Sequence, residues 1–154
     1  MKKFKLFLST ACILVSTISL QAQYTDVDLQ NAINAAAPGS TINLNSGTYT
    51  LGAVVNVNKT GIKLLGNNTI FSVSGTGDRL DMSADGVSVE NVEIINTDKT
   101  GTQDIIRIRA NNVTIKNNII HGQFVIGDPD YSRAMVFNAG SFTGLQIEGN
   151  TIYS

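Results

Sequence analysis

The sequence predicts an all-β fold: a right-handed parallel β-helix closed at its N-terminal end by an α-helical cap. Three observations carry that prediction. Short aliphatic alternations recur along the chain, Asn keeps a fixed place within the recurrence, and one helix-patterned segment precedes the whole array. The 154 residues are 42% hydrophobic and 15% charged, with 14 Gly, 2 Pro and no Trp, which is enough apolar material for one domain. Charged residues fall well under the ~25% of an ordinary globular chain. The net charge is −1. Without an excess of Lys and Arg to neutralise phosphates, nucleic acid is not an expected partner.

The first segment reads as an address. Lys2, Lys3 and Lys5 precede an apolar run over residues 6–20, and Gln21, Ala22 and Gln23 follow. A basic start, a short apolar stretch and a small residue at the cut make a secretory signal peptide. Cleavage is expected after Ala22, so residues 1–22 leave the mature chain. The run also holds Ser9, Thr10, Ser16, Thr17 and Ser19 and is short for the ~20 apolar residues of a membrane span. No span is therefore expected after cleavage, and the destination is the cell surface, the periplasm or the medium. Cys12 is the one cysteine. It departs with the signal, leaving a mature chain whose stability rests on repetition and packing.

Residues 23–38 form the predicted cap. Thr25 and Asp28 have the spacing of a capping box, and Asp26 and Asp28 suit the positive end of a helix over residues 25–37. Leu29, Ala32, Ile33 and Ala36 share one face at helical spacing, and Pro38-Gly39 ends it.

Residues 39–154 form the predicted coils. GIKLLGNNTI from Gly61, GVSVENVEI from Gly86, NVTIKNNII from Asn112 and GLQIEGNTI from Gly144 share alternating aliphatics, an Asn turn and a further aliphatic. A second alternation lies at Val55/Val57, Leu80/Met82, Ile106/Ile108 and Met135/Phe137, with first positions 25, 26 and 29 residues apart. A coil of three short strands needs about that length, and variable loops fit it too. A β-sandwich is the alternative. In a β-helix, Ile62, Val87, Val113 and Leu145 stack inward. Anchoring on Ile70, Ile94, Ile120 and Ile152 aligns Asn68, Asn118 and Asn150, and also Asn67, Asn91 and Asn117 one position earlier. The alignment requires a one-residue insertion near Leu65. These six Asn are the predicted structural ladder, in which side-chain amides donate and accept along a column of coils ~4.8 Å apart.

The stretch DLQNAINAAAPGSTINLNSGTY, residues 28–49, resembles the opening of secreted parallel β-helix proteins of the pectin-lyase-like superfamily, above all its alginate-lyase and chondroitinase-B group. Ser40 stands where that motif more often has Asp. The resemblance implies a helix closing the solenoid, a polysaccharide partner, and in the enzymes a β-elimination on uronate polymers, with Ca²⁺ entering only by analogy. The family's catalytic Lys and Arg lie in later coils and have no matching positions here. The chain is accordingly expected to be an N-terminal piece of a longer protein, lacking the chemistry and associating end to end through its last coil.

Outward positions define the candidate residues. One column runs Asn56, Asp81, Arg107, Val136. Another runs Lys63, Ser88, Thr114, Gln146, with Glu90, Lys116 and Glu148 beside it. Ion pairs are expected between neighbouring coils, Asp81 with Arg107 and Lys116 with Glu90 or Glu148. Elimination needs a base and a cation to hold developing charge, for which Lys63, Arg107, Arg109, His121, Tyr131 and Arg133 qualify with no motif to single one out; Arg107, His121 and Tyr131 stand as the catalytic candidates. Lys63, Phe124 and Arg133 are the substrate-binding candidates. His121, aligned with Phe71, Ile95 and Tyr153, also suits plain packing. Asp78, Asp81 and Asp85, or Asp128 and Asp130, lack the spacing of a calcium loop, so no metal site is assigned. The longest departure from the repeat, residues 122–132, offers Phe124 and Tyr131 as an aromatic loop for sugar. A non-catalytic adhesion or structural solenoid is the competing reading.

Overall fold

Alternation with a period of two sends every second side chain inward. The chain uses that rule in short strands wound as coils. The computed structural model describes residues 22–75, 77–98, 103–122, 133–138 and 140–153, the side chains of Asp78 and Gln103 excepted. The apolar run 6–20 with Cys12, and the loop residues Phe124, Asp128, Asp130 and Tyr131, lie outside the described residues.

After β1 (Gln23–Thr25) and α1 (Asp26–Ala35), the first coil is β2 (Thr41–Asn43), β3 (Gly47–Leu51) and β4 (Val55–Val57). The second is β5 (Lys63–Val73) and β6 (Gly77–Met82), and the third is β7 (Ser88–Asn96) and β8 (Gln103–Ile108). The fourth is β9 (Thr114–Lys116), β10 (Ile119–Gly122) and β11 (Arg133–Phe137), and β12 (Gln146–Glu148) and β13 (Thr151–Tyr153) lie on it. Every pairing is parallel, which rules out the sandwich. The result is a parallel β-solenoid of three faces. β5 and β7 each turn a corner and serve two of them. The first face is β2, the start of β5, the start of β7, β9 and β12. The second is β3, the rest of β5 and β7, β10 and β13. The third is β4, β6, β8 and β11.

Inward columns build one core. Leu64, Val89 and Ile115 stack on the first face, Phe71, Ile94 and Ile120 on the second, and Leu80 and Ile106 on the third, all fully buried. Burying each such aliphatic contributes about 1.5–3 kcal/mol. Ile62, Val87 and Val113 are also fully buried, and Leu145 packs half-buried on the same core.

Left-handed backbone makes the corners. Leading into the first face, Gly39, Gly61, Gly86, Asn112 and Gly144 have φ of 79°, 70°, 73°, 55° and 67°. Between the first and second faces, Asn68, Asn91, Asn117 and Gly149 have φ of 51°, 56°, 55° and 63°. Gly and Asn are the residues that visit this region at least cost, so the recurrence of these two types is a recurrence of corners.

The cap forms as its sequence dictates. Thr25 donates its backbone N–H to Asp28 Oδ2 at 2.8 Å, while its hydroxyl accepts the Asp28 N–H at 3.3 Å. Asp26 Oδ2 accepts the Ala53 N–H at 2.6 Å, tying the helix to the first coil. Leu29 and Ile33 lie fully buried against the coils. The helix stops at Ala35, two residues short of the expected end, and Ala36 is already extended (φ −71°, ψ 144°). Pro38 disfavours helical backbone at the residue before it, so the chain leaves the helix early. Lys59 Nζ then donates to the Ala36 carbonyl at 2.9 Å. β1 has no counterpart in the sequence reading, since three residues are too few to show a period. It pairs with β3, and Tyr24 stacks on Tyr49 with ring centroids 4.6 Å apart.

The register differs from expectation in the second coil. Phe71, not Ile70, pairs with Ile94. Gly66, Asn67 and Asn68 all lie between Leu65 and Thr69, where the next coil has Asn91 alone between Glu90 and Val92, so the insertion is two residues rather than one. Asn68 therefore shares its corner with Asn91, Asn117 and Gly149, while Asn67 belongs to the insertion. His121 aligns with Ile95 and Tyr153, and through Ile95 with Ser72 rather than Phe71.

Candidate functional site: a corner groove

The two-residue insertion raises a wall at the corner between the first and second faces. Beside it the carboxamides of Asn68, Asn91 and Asn117 are exposed, one per coil. Outward positions of the second face, Ile70, Glu93 and Ile119, form the other side. Together they enclose a concavity of about 540 Å³. Gly66 is required at its base, because a Cβ there would collide with the Asn91 carbonyl and the Val92 side chain. Thr69, 2% exposed, fixes the wall: its hydroxyl donates to the Asn45 carbonyl at 3.0 Å and accepts the Asn67 N–H at 3.0 Å.

Beneath the corner two asparagines form a hydrogen-bonded stack. Asn118 is 1% exposed. Its Nδ2 donates to the Val89 carbonyl and to Asn150 Oδ1, both at 3.0 Å, and its Oδ1 accepts the Val92 N–H at 3.1 Å. Asn150 repeats the pattern one coil on, donating from Nδ2 to the Ile115 carbonyl at 2.7 Å and accepting the Asn118 N–H at 2.9 Å. Thr69 and Val92 occupy the equivalent positions in the second and third coils. The six expected ladder residues thus divide: Asn118 and Asn150 bond inward, and Asn67, Asn68, Asn91 and Asn117 line the groove.

At the rim, His121 Nε2 lies 2.8 Å from Glu93 Oε1. The His121 ring stacks on Tyr153 with centroids 4.8 Å apart and planes 8° apart. Tyr153 is 52% exposed and Ile119 43%, so the groove continues into an apolar, partly aromatic surface.

The other predicted site residues are distributed over the remaining faces. Lys63, on the first face, pairs with Glu90 at 2.9 Å, and Lys116 pairs with Glu148 at 3.1 Å. Arg107 and Arg133 are on the third face. Arg133 grips Asp104 through Nε at 2.7 Å and Nη2 at 3.0 Å. Arg107 donates to Asn138 Oδ1 from Nη2 at 2.9 Å. Asp81 is held by Arg109, not by the expected Arg107: a partner two residues further along the chain, just past the end of β8, reaches back over the coil, with Nε 2.8 Å from Oδ1. Asp85 Oδ1 accepts the Asn111 N–H at 2.9 Å. Among the described residues no group of three or more His, Cys, Asp or Glu is placed to hold a metal ion, and no helix is long and apolar enough to cross a membrane. Of the catalytic and substrate-binding candidates within the described residues, His121 alone adjoins the groove. Sequence reasoning noticed the groove's asparagines but assigned them to structure. The signal that separates the two roles is whether Asn occupies the left-handed corner or the position after it.

Compared with known proteins, the chain matches no family model, no curated protein and no solved structure.

Proposed function

We propose that this chain is an exported β-solenoid of pectin-lyase-like type that binds extracellular polysaccharide along the corner groove. The observation that carries the reading is the row of exposed carboxamides, Asn68, Asn91 and Asn117, at successive coils. Coils ~4.8 Å apart repeat a donor and an acceptor at that interval, which suits a linear polymer bearing hydroxyls on every unit. Ile119 and the stacked His121–Tyr153 pair supply apolar surface for the C–H faces of sugar rings. The signal-peptide pattern of residues 1–22 supports an extracellular partner.

Binding fits the groove better than cleavage. Glycoside hydrolysis ordinarily uses two carboxyl groups about 5–9.5 Å apart. Among the described lining residues, Glu93 is the one carboxylate. Elimination pairs a base with a cation near the developing charge. His121 and Glu93 offer a base, while Lys63, Arg107, Arg109 and Arg133 have their partners elsewhere. The non-catalytic adhesion reading is therefore favoured over the lyase.

Affinity electrophoresis of the chain through gels carrying a panel of neutral and acidic polysaccharides tests this. At least one polymer should retard the protein, and N68G/N91G/N117G should abolish the retardation. Gly preserves the left-handed corner while deleting the carboxamide. Unchanged retardation of the triple variant, or retardation by no polymer, would contradict the proposal. Appearance of unsaturated products from uronate polymers would restore the lyase reading.

A further inference from the structure

We infer that the polymer held in the groove is neutral, a glycan with hydroxyls but without carboxylate, sulfate or phosphate. The inference rests on the groove being a polysaccharide site. Among the described residues its lining consists of four Asn carboxamides, Gly66, Thr69, the aliphatic Ile70, Val92 and Ile119, and Glu93. No Lys or Arg is among those residues. Recognition of a polyanion relies on charge-assisted bonds, most often from an Arg fork or a Lys ammonium. Among the described residues, the Lys and Arg side chains flanking the groove in sequence are engaged with carboxylates outside its lining. Lys63 and Lys116 are ion-paired on the first face, and Arg109 and Arg133 are ion-paired on the third.

Glu93 turns absence of attraction into rejection. Its side chain is 37% exposed on the groove wall, with its Oε1 turned to His121 at 2.8 Å. A carboxylate there disfavours any anionic unit passing beside it, whereas to a hydroxyl it is a hydrogen-bond acceptor. The carboxamides discriminate in the same direction, since each offers a donor and an acceptor, which a hydroxyl can answer in both senses and a carboxylate in only one. The family resemblance implies uronate polymers. The groove's own chemistry selects against them.

The test uses the full chain and polymers matched in backbone: β-mannan against polymannuronate, fully methyl-esterified polygalacturonate against polygalacturonate, and hydroxyethyl against carboxymethyl cellulose. In the matched pair that contains the best ligand, the neutral member should bind at least about tenfold more tightly. Its affinity should stay constant between about 0.05 and 0.5 M NaCl, because no ion pair is made. Glu93→Gln should narrow the gap by raising the affinity for the acidic member. Equal or tighter binding of the acidic polymer, or an affinity that falls steeply with salt, would overturn the inference while leaving polysaccharide binding standing. Binding of no polymer in any pair would overturn both.

Discussion

Asparagine does two separate things here, and backbone conformation distinguishes them. At Asn68, Asn91 and Asn117 the backbone is left-handed and the carboxamide is exposed. At Asn118 the side chain is buried and satisfies Val92 N–H, the Val89 carbonyl and Asn150. Asn118→Ala strands a buried donor and a buried acceptor, so it is expected to cost about 3 kcal/mol. Asn91→Gly should cost only a few tenths, and Asn91→Ala about 1 kcal/mol because Ala resists positive φ. Urea denaturation of the three variants checks the ordering. A second residue-scale expectation concerns the cap. The Thr25 hydroxyl and then the Thr25 backbone N–H hold the Asp28 carboxyl below its ordinary value of 3.8. A carboxyl lowered on folding adds stability that is present above its unfolded value and is lost as pH falls through the folded one. Thr25→Ala should remove about 1 kcal/mol at neutral pH and also flatten the loss of stability below pH 3.8. Parallel acid-melting curves for the two proteins would test this.

Elements obey the same accounting of burial and partners. Arg109 closes over Asp81, whose side chain is 2% exposed, whereas Lys116 and Glu148 are 43% and 54% exposed. Arg109→Ala leaves a carboxylate buried without its cation and is expected to cost about 2–3 kcal/mol. Pairing it with Asp81→Asn should recover part of that loss. Lys116→Ala should cost under about 1 kcal/mol. The wall of the groove can be removed without touching the core. Deleting Gly66 and Asn67 leaves Leu65-Asn68-Thr69, the pattern that Glu90-Asn91-Val92 already adopts one coil later. The shortened protein should melt cooperatively with its circular dichroism retained, and should lose retardation in the polysaccharide gels. This insertion also marks where the sequence was hardest to read. Ile70 and Phe71 are adjacent and both apolar, so hydrophobicity does not say which one faces in. The choice follows from an insertion length that only the pairing with β7 fixes. The helix and the aliphatic columns were legible because each has a period longer than any single substitution. The capping box was legible from two residues three apart.

At the scale of the whole molecule, the solenoid brings together residues that the chain keeps about one coil apart. Asn68, Asn91 and Asn117 are separated by 23 and 26 residues, yet they form one row. Glu93 and His121 are 28 residues apart and meet at the rim. The period of the repeat made the fold readable. It did not make the groove readable, because the groove is a departure from the repeat added to residues whose type also serves the corners. The charged candidates chosen for chemistry, Lys63, Arg107 and Arg133, find partners in neighbouring coils through the parallel register rather than a common site.

Nuclear magnetic resonance of the side-chain carboxamides tests groove binding most directly. On titration with the tightest-binding glycan of the panel, the Nδ2 signals of Asn68, Asn91 and Asn117 should shift together, along with the backbone amides of Glu93 and Ile119. The amides of Asp81, Arg107 and Arg133, on the third face, should hold still. Shifts concentrated on the third face, with the three carboxamides unmoved, would contradict a groove that binds polysaccharide at this corner.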